Sequence, residues 1–135
     1  SWGKDMWATH DPYAAGLGFA VKLDKPDFVG REALQRAGDQ PARRLTCLVQ
    51  EDPTRLVIGS EPVYGRNGHH TDHAMGFVTS AAHGYTTGES IAYAWLPAAL
   101  AVQGTALGVE YFGQRLGARV ASEPLFDPSM QRMRR

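Results

Sequence analysis

The sequence predicts a mainly β protein, in which an antiparallel sandwich or barrel follows a short segment with one strand and one helix. Three observations predict this fold class. Apolar residues alternate over several short stretches in the second two-thirds of the chain, and glycine-rich turns separate these stretches. The 135 residues are 43% hydrophobic and 21% charged, which is typical of a folded domain with a core. We therefore divide the chain into residues 1–41, with the strand and the helix, and a β domain from residue 42.

Residues 1–41 contain two predicted elements. The stretch 16–23 is apolar at alternate positions, which predicts a strand. Asp27 is then a candidate N-cap for a helix over residues 28–37, and Gly38 is a candidate glycine at the helix end. One strand and one helix have little to pack against, so this segment is expected to belong to a larger unit.

Seven short strands are predicted after this segment, because each apolar stretch is bounded by turn residues. They cover residues 43–50, 56–58, 62–64, 75–80, 91–96, 105–112 and 114–121. The turns at Asn67-Gly68 and at Gly113 are typical of tight hairpins.

Composition excludes several classes of function. Fourteen basic residues balance fourteen acidic ones, so the chain lacks the surplus of cations that general nucleic-acid binding needs. The single cysteine, Cys47, excludes a disulfide framework and a cysteine-rich zinc site. No apolar run reaches the roughly 18 residues of a membrane helix. We expect a cytoplasmic protein, or a mitochondrial-matrix protein in a eukaryote, with no nucleic-acid or membrane partner.

A histidine-rich loop is the first candidate for chemistry. His69, His70, Asp72 and His73 carry ligand groups that zinc, nickel or copper accept. All four lie in one predicted hairpin loop, whereas functional metal sites usually draw ligands from separated segments. A polar loop is therefore the preferred interpretation, and a metal-binding module stays open. Cys47 lies in the middle of a predicted strand, which favours a buried small side chain over a nucleophile.

A set of aromatic and arginine residues is the second candidate. Aromatic faces stack on flat heterocycles and guanidinium groups pair with carboxylates, so the set could hold an anionic aromatic ligand or be ordinary core and surface. Its members are Trp2, Tyr13, Phe19, Arg31, Arg43, Arg44 and Arg55.

Several short motifs follow one another along the chain. They are Trp2-Gly3-x-Asp5, Asp11-Pro12-Tyr13-x-x-Gly16-Leu17, Lys25-x-Asp27-Phe28-Val29-Gly30-Arg31, Gly76-Phe77-Val78-Thr79-Ser80 and Gly88-x-Ser90-Ile91-Ala92. Their order resembles the glycine-cleavage T-protein family, the tetrahydrofolate-dependent aminomethyltransferases. The ending Glu123-Pro124-Leu125-Phe126-Asp127-Pro128 is most similar to the C-terminus of sarcosine and dimethylglycine dehydrogenases or oxidases.

This resemblance implies a fold and a function. Residues 1–41 would be the C-terminal tail of an upstream α/β folate-binding domain, and residues 42–135 a jelly-roll-like antiparallel β-barrel. The parent enzyme would oxidise an N-methyl amine on FAD in an upstream domain and pass the one-carbon unit to tetrahydrofolate. The flavin site and the family's catalytic aspartate would lie upstream, so no residue here is expected to be catalytic. The partners implied are folate and the upstream domains of the same polypeptide.

The resemblance also assigns folate contacts and one departure. The residues assigned to tetrahydrofolate are Trp2, Tyr13, Arg31, Arg44 and Arg55, with Arg43 as an alternative to Arg44. The family commonly carries a glutamate where this chain has Ala14. Loss of that hydrogen-bonding carboxylate is expected to weaken or change ligand recognition.

Three other functions stay open at this point. The chain could belong to a stand-alone aminomethyltransferase or folate-dependent demethylase, or be a non-catalytic assembly barrel, or form the metal-binding module described above. An exposed apolar face at Leu17, Phe19 and Val21 would also favour a homo-oligomer.

Overall fold

The fold is described from a computed structural model, which covers residues 1–66, 72–132 and 134. One α-helix, α1, spans Arg31–Ala37 and precedes all of the strands. The strands are β1 (Arg43–Gln50), β2 (Pro62–Gly65), β3 (Gly76–Gly84), β4 (Glu89–Pro97), β5 (Ala106–Tyr111) and β6 (Gln114–Val120). No helix among the described residues is long and apolar enough to cross a membrane.

The six strands form one closed antiparallel barrel in the order β1-β4-β3-β2-β5-β6. β1 pairs with β4 over its length and with β6 at its end, where Leu48 lies opposite Val120, and this second pairing closes the barrel. The closed barrel confirms the predicted mainly β class and decides between the sandwich and the barrel. Every strand has two neighbours, although β1 pairs with β6 over only three residues and β2 with β3 at only two positions.

The core lies inside the barrel, where alternate residues of each strand point inward. Leu48, Val63, Val78, Leu96 and Val109 are fully buried there. Burying each such side chain contributes roughly 1.5–3 kcal/mol, and β-branched residues pack well on a pleated surface. On β1, however, the apolar alternation of the sequence runs through Leu45, Cys47 and Val49, whereas the residue in the core cluster is Leu48. The predicted alternation of this strand therefore lies on its outer face, where Cys47 and Val49 are also buried.

The strand predicted over residues 16–23 is wrong. This stretch contains a short 3-10 helix, Gly18–Ala20, and the side chain of Phe19 is 78% exposed. An apolar alternation becomes a strand only where a neighbouring strand offers unpaired backbone groups. Residues 16–23 pair with none of the six strands of the barrel.

The helix predicted over residues 28–37 and the strand predicted over residues 56–58 also differ from the structure. The helix α1 begins at Arg31 rather than at residue 28, and its N-cap is Gly30 rather than Asp27. Gly38 caps the C-terminus as predicted. Residues 56–58 form no strand, and Val57 reaches the core from a loop instead.

The predicted hairpin at Gly113 is confirmed. Tyr111 pairs with Gln114, and the two turn residues Phe112 and Gly113 both have positive φ, as a type I′ turn requires. The hairpin predicted at Asn67-Gly68 lies outside the described residues.

Candidate functional site

The N-terminal segment binds to the outside of the barrel through Asp5. Trp95 alternates on β4 with inward-facing neighbours, so its side chain points outward. Its indole Nε1 donates to the backbone oxygen of Asp5 at 2.7 Å. The hydroxyls of Thr79 and Ser80 donate to Asp5 Oδ1 at 2.5 and 2.6 Å. Residues far apart in the sequence thus meet at one buried carboxylate.

The Asp5 side chain is ionised in this environment. Burial raises the pKa of Asp5. Contact with the amino group of Ser1 and the hydrogen bonds from Ser80 and Thr79 together lower the pKa by more than burial raises it. The resulting pKa is about 2. Charge-assisted hydrogen bonds of this kind are stronger than those between neutral groups, so Asp5 is the main anchor of the segment.

Two further contacts hold the segment along β1 and β4. The ring of His10 stacks on Trp95, with ring centroids 4.1 Å apart and planes 22° from parallel. The backbone N–H of Leu45 in β1 donates to the oxygen of Ala14 at 2.9 Å. The N-terminal segment is consequently fixed at several points and forms a wall above the outer surface of the barrel.

A large cavity of about 1260 Å³ lies between this wall, the outer surface of β1, β4 and β3, and the chain that follows β6. Its lining is mostly apolar and includes Leu17, Phe19, Leu45, Ile91 and Leu125. The apolar face predicted at Leu17 and Phe19 is therefore exposed toward this cavity, and the homo-oligomer stays a prediction.

Three polar side chains meet on one wall of the larger cavity. The hydroxyl of Tyr93 donates to Glu123 Oε1, and Cys47 lies on the neighbouring strand, where it pairs with Tyr93 in register. Burial, with the charge of Glu123, raises the pKa of the Cys47 thiol to about 12. Burial, with the hydrogen bond to Glu123 and its charge, also raises the pKa of Tyr93. Both groups stay protonated at neutral pH, and the prediction that Cys47 is a buried side chain is confirmed by its 2% exposure.

A smaller cavity of about 270 Å³ lies beside the larger one. Gly16, Leu45, Cys47 and Glu123 line both cavities, so the two share a wall. The smaller cavity carries Arg44, which gives it a positive group that the larger one lacks. Two neighbouring spaces with different charge therefore lie on the same side of the barrel.

Two of the five residues assigned to folate come together in the smaller cavity. Tyr13 and Arg44 both line it, and so does Ala14, the position where the family commonly carries a glutamate. An aromatic ring and a guanidinium group on the lining of one cavity are the pair expected for an anionic aromatic ligand.

The other assigned residues line neither cavity. Trp2 is 72% exposed, and Arg55 lies 3.8 Å from the Asp52 carboxylate in an exposed ion pair. The guanidinium of Arg31 donates to the backbone oxygen of Leu23 at 2.8 and 3.2 Å, so it ties α1 to the preceding turn.

Arg43, the alternative to Arg44 as a folate contact, is instead hydrogen-bonded to the backbone of the barrel. Its guanidinium donates to the backbone oxygens of Met75 and Trp95 at 2.9 and 2.8 Å.

Sequence reasoning missed the contact between Tyr93 and Glu123, because nothing local signals that a residue after β6 reaches β4. It also missed Asp5 as an anchor, although Asp5 lies in one of the quoted motifs.

Two of the four candidate metal ligands lie outside the described residues. His69 and His70 are not described, and Asp72 and His73 lie in an exposed bend. In residues 1–66, 72–132 and 134, no group of three or more His, Cys, Asp or Glu side chains could hold a metal ion.

Comparisons with known proteins show which family and which relatives this chain is similar to. The family profile of the glycine cleavage T-protein C-terminal barrel domain matches residues 43–127. The aminomethyltransferase of Synechococcus sp. (strain WH7803) is 39% identical over 127 residues, which are 93% of this chain and 33% of that protein. The mitochondrial dimethylglycine dehydrogenase of Mus musculus is 31% identical over 139 residues, which span 100% of this chain and 15% of that protein.

A solved structure confirms the fold. The glycine cleavage system aminomethyltransferase T from Bartonella henselae superposes with a TM-score of 0.81 at 23% identity, over 95% of this chain and 35% of that one. The chain thus spans about a third or less of the length of the proteins that it matches.

Proposed function

The chain belongs to the glycine cleavage T-protein C-terminal barrel family, and on that premise we propose that it forms the folate-side end of a flavin-linked enzyme that passes a one-carbon unit to tetrahydrofolate. The parent enzyme would be a sarcosine or dimethylglycine dehydrogenase. Its FAD would lie in an upstream domain, and the upstream domains would be the partners of this chain. The division into a folate-domain tail at residues 1–41 and a barrel at residues 42–135 is part of the proposal.

The observation that carries the proposal is the smaller cavity. Tyr13 and Arg44 line it together, so a ring face and a cation are available to one ligand. Its volume of about 270 Å³ is below the roughly 300–1,000 Å³ of pockets that enclose a whole ligand. It would hold one part of a folate, and upstream domains would enclose the rest.

The chain's own residues would bind and orient the folate, and none is proposed to be catalytic. Arg44 would pair with a carboxylate of the glutamate tail, and Tyr13 would cover a ring face. Ala14 offers no side-chain acceptor in this cavity, so one hydrogen bond common in the family would be missing. Trp2, Arg31 and Arg55 would contact folate only in a longer protein, since they line neither cavity.

A stand-alone aminomethyltransferase is the second candidate, and one observation favours it. The Synechococcus aminomethyltransferase is more similar in identity, at 39% against 31% for the dehydrogenase. The dehydrogenase match covers the complete chain, including the ending after the barrel, and supports the flavin-linked proposal instead. Both candidates use folate and differ only in the upstream domain.

The test is a calorimetric titration of the chain with tetrahydrofolate under reducing conditions. We expect saturable micromolar binding, weakened about tenfold or more by Arg44→Gln, because a hydrogen bond to a charged group contributes about 1.5–3 kcal/mol. Arg36→Gln is the matched control, since Arg36 is an exposed residue on α1 that lines neither cavity. Binding only by a longer protein would still support a shared site. Absence of binding by both would refute the proposal.

A further inference from the structure

The larger cavity is lined by negatively charged rather than positively charged side chains. Its lining includes the carboxylates of Asp5 and Glu123 and no lysine or arginine. Asp5 already accepts the hydroxyls of Thr79 and Ser80, so this carboxylate is engaged by the barrel itself. Glu123 accepts the Tyr93 hydroxyl, and no lysine or arginine in residues 1–66, 72–132 and 134 forms an ion pair with it. One carboxylate at this cavity therefore lacks a countercharge within the described chain.

Aromatic side chains line the same cavity. Phe19, Tyr85, Tyr93 and Phe126 all line the cavity. The face of an aromatic ring is negative, and a cation within about 6 Å of its centroid is attracted to it. The guanidinium of Arg132, outside the lining, lies 5.0 Å from the Phe126 centroid and gives an example at the rim. The cavity thus combines an apolar lining, ring faces and a carboxylate.

We propose that the larger cavity binds an organic ammonium ion with an apolar or aromatic body. The ammonium group would pair with the Glu123 carboxylate beside Tyr93, and the body would lie against the apolar and aromatic walls. Glu123 lies on the wall that this cavity shares with the smaller one, but Arg44 lines only the smaller cavity. The ammonium would use the aromatic and apolar side chains of the larger cavity and not Arg44, so the proposal does not require folate binding.

Size and electrostatics both agree with this ligand class. A space of about 1260 Å³ has room for an aromatic amine. Burial, and secondly the charge of Glu123, raise the pKa of Cys47, and the same charge would disfavour a bound carboxylate and favour a bound cation. Charge complementarity therefore selects the cation among ligands of equal size.

Three probes of the same size and different charge test the proposal: 2-phenylethylammonium, 2-phenylethanol and phenylacetate. Each is titrated into the ¹⁵N-labelled chain at pH 7 and low salt, and the backbone amide shifts are followed. We expect the ammonium to bind most tightly and phenylacetate least, with shifts at lining residues such as Gly16, Ala82 and Ile91. Added salt should weaken the binding of the ammonium, leave 2-phenylethanol unchanged and not weaken phenylacetate, because salt screens attraction and repulsion alike.

The variant Glu123→Gln tests how much the negative charge of the carboxylate contributes to binding. Glutamine keeps an oxygen that can accept the Tyr93 hydroxyl, so the wall should keep its shape. We expect an affinity for 2-phenylethylammonium about three- to tenfold lower and an unchanged affinity for 2-phenylethanol. Glu32→Gln, an exposed position on α1 outside the cavity, is the control. Equal binding of all three probes, no shifts at the lining residues, or equal behaviour of the two variants would each overturn the proposal.

Discussion

Replacing Asp5 with asparagine removes a buried negative charge and leaves an oxygen that Thr79 and Ser80 can still use as an acceptor. The pKa of Asp5 is about 2 in the folded chain, against an ordinary value of 3.8. At 1.36 kcal/mol per pKa unit, the difference corresponds to about 2.5 kcal/mol. We expect Asp5→Asn to lower the free energy of unfolding at pH 7 by about this amount.

The pH dependence gives the sharper test. Because the pKa of Asp5 is lower in the folded chain, its contribution to stability is fully present above about pH 4 and is lost as the pH falls toward 2. Urea unfolding followed by tryptophan fluorescence should show a wild-type advantage at pH 7 that shrinks toward zero near pH 2. Asp39→Asn, at an exposed position, should have little effect at any pH. A difference between wild type and Asp5→Asn that is absent at pH 7, or is the same at every pH, would refute the reasoning.

Two further predictions concern the barrel itself. A Cβ at Gly76 would lie 1.9 Å from the backbone oxygen of Trp95, so Gly76→Ala should lower the free energy of unfolding by about 1–3 kcal/mol or more. Gly108→Ala, whose Cβ would meet nothing closer than 3.7 Å, should change it by less than about 0.5 kcal/mol, and equal effects in urea unfolding would contradict the prediction. With a pKa of about 12 against an ordinary 9.0, Cys47 should react with a thiol reagent at pH 8 about a thousandfold more slowly in the folded chain than in urea. A rate in the folded chain within tenfold of the rate in urea would contradict it.

The strands of the barrel could be predicted because their signals are local. Six of the seven predicted strands overlap β1 to β6, and each carries its own alternation and its own bounding turns. Residues 16–23 and 56–58 carry weaker versions of the same signal. They form no strands, because a strand also needs a partner with unpaired backbone groups, and the alternation of one segment cannot show whether a partner is free.

The candidate site could be predicted only in part for a related reason. Tyr13 and Arg44 were chosen by residue type and resemblance, and the fold brings both to one cavity. Arg31 was chosen on the same grounds, but its guanidinium is occupied by the oxygen of Leu23. Residue type shows which interactions a side chain can make, and the neighbours present in the fold decide which one it makes.

By itself, the sequence determined the mainly β class, the position of most strands, the turn at Gly113 and the family resemblance. Each of these depends on residues close together in the chain or on the order of short motifs. Only the tertiary structure decided that the barrel closes, that Asp5 anchors the N-terminal segment to β3 and β4, and that Tyr93 meets Glu123. These features join residues 30 to 75 positions apart. Contacts of that kind depend on how strands pack in three dimensions, which no local pattern records.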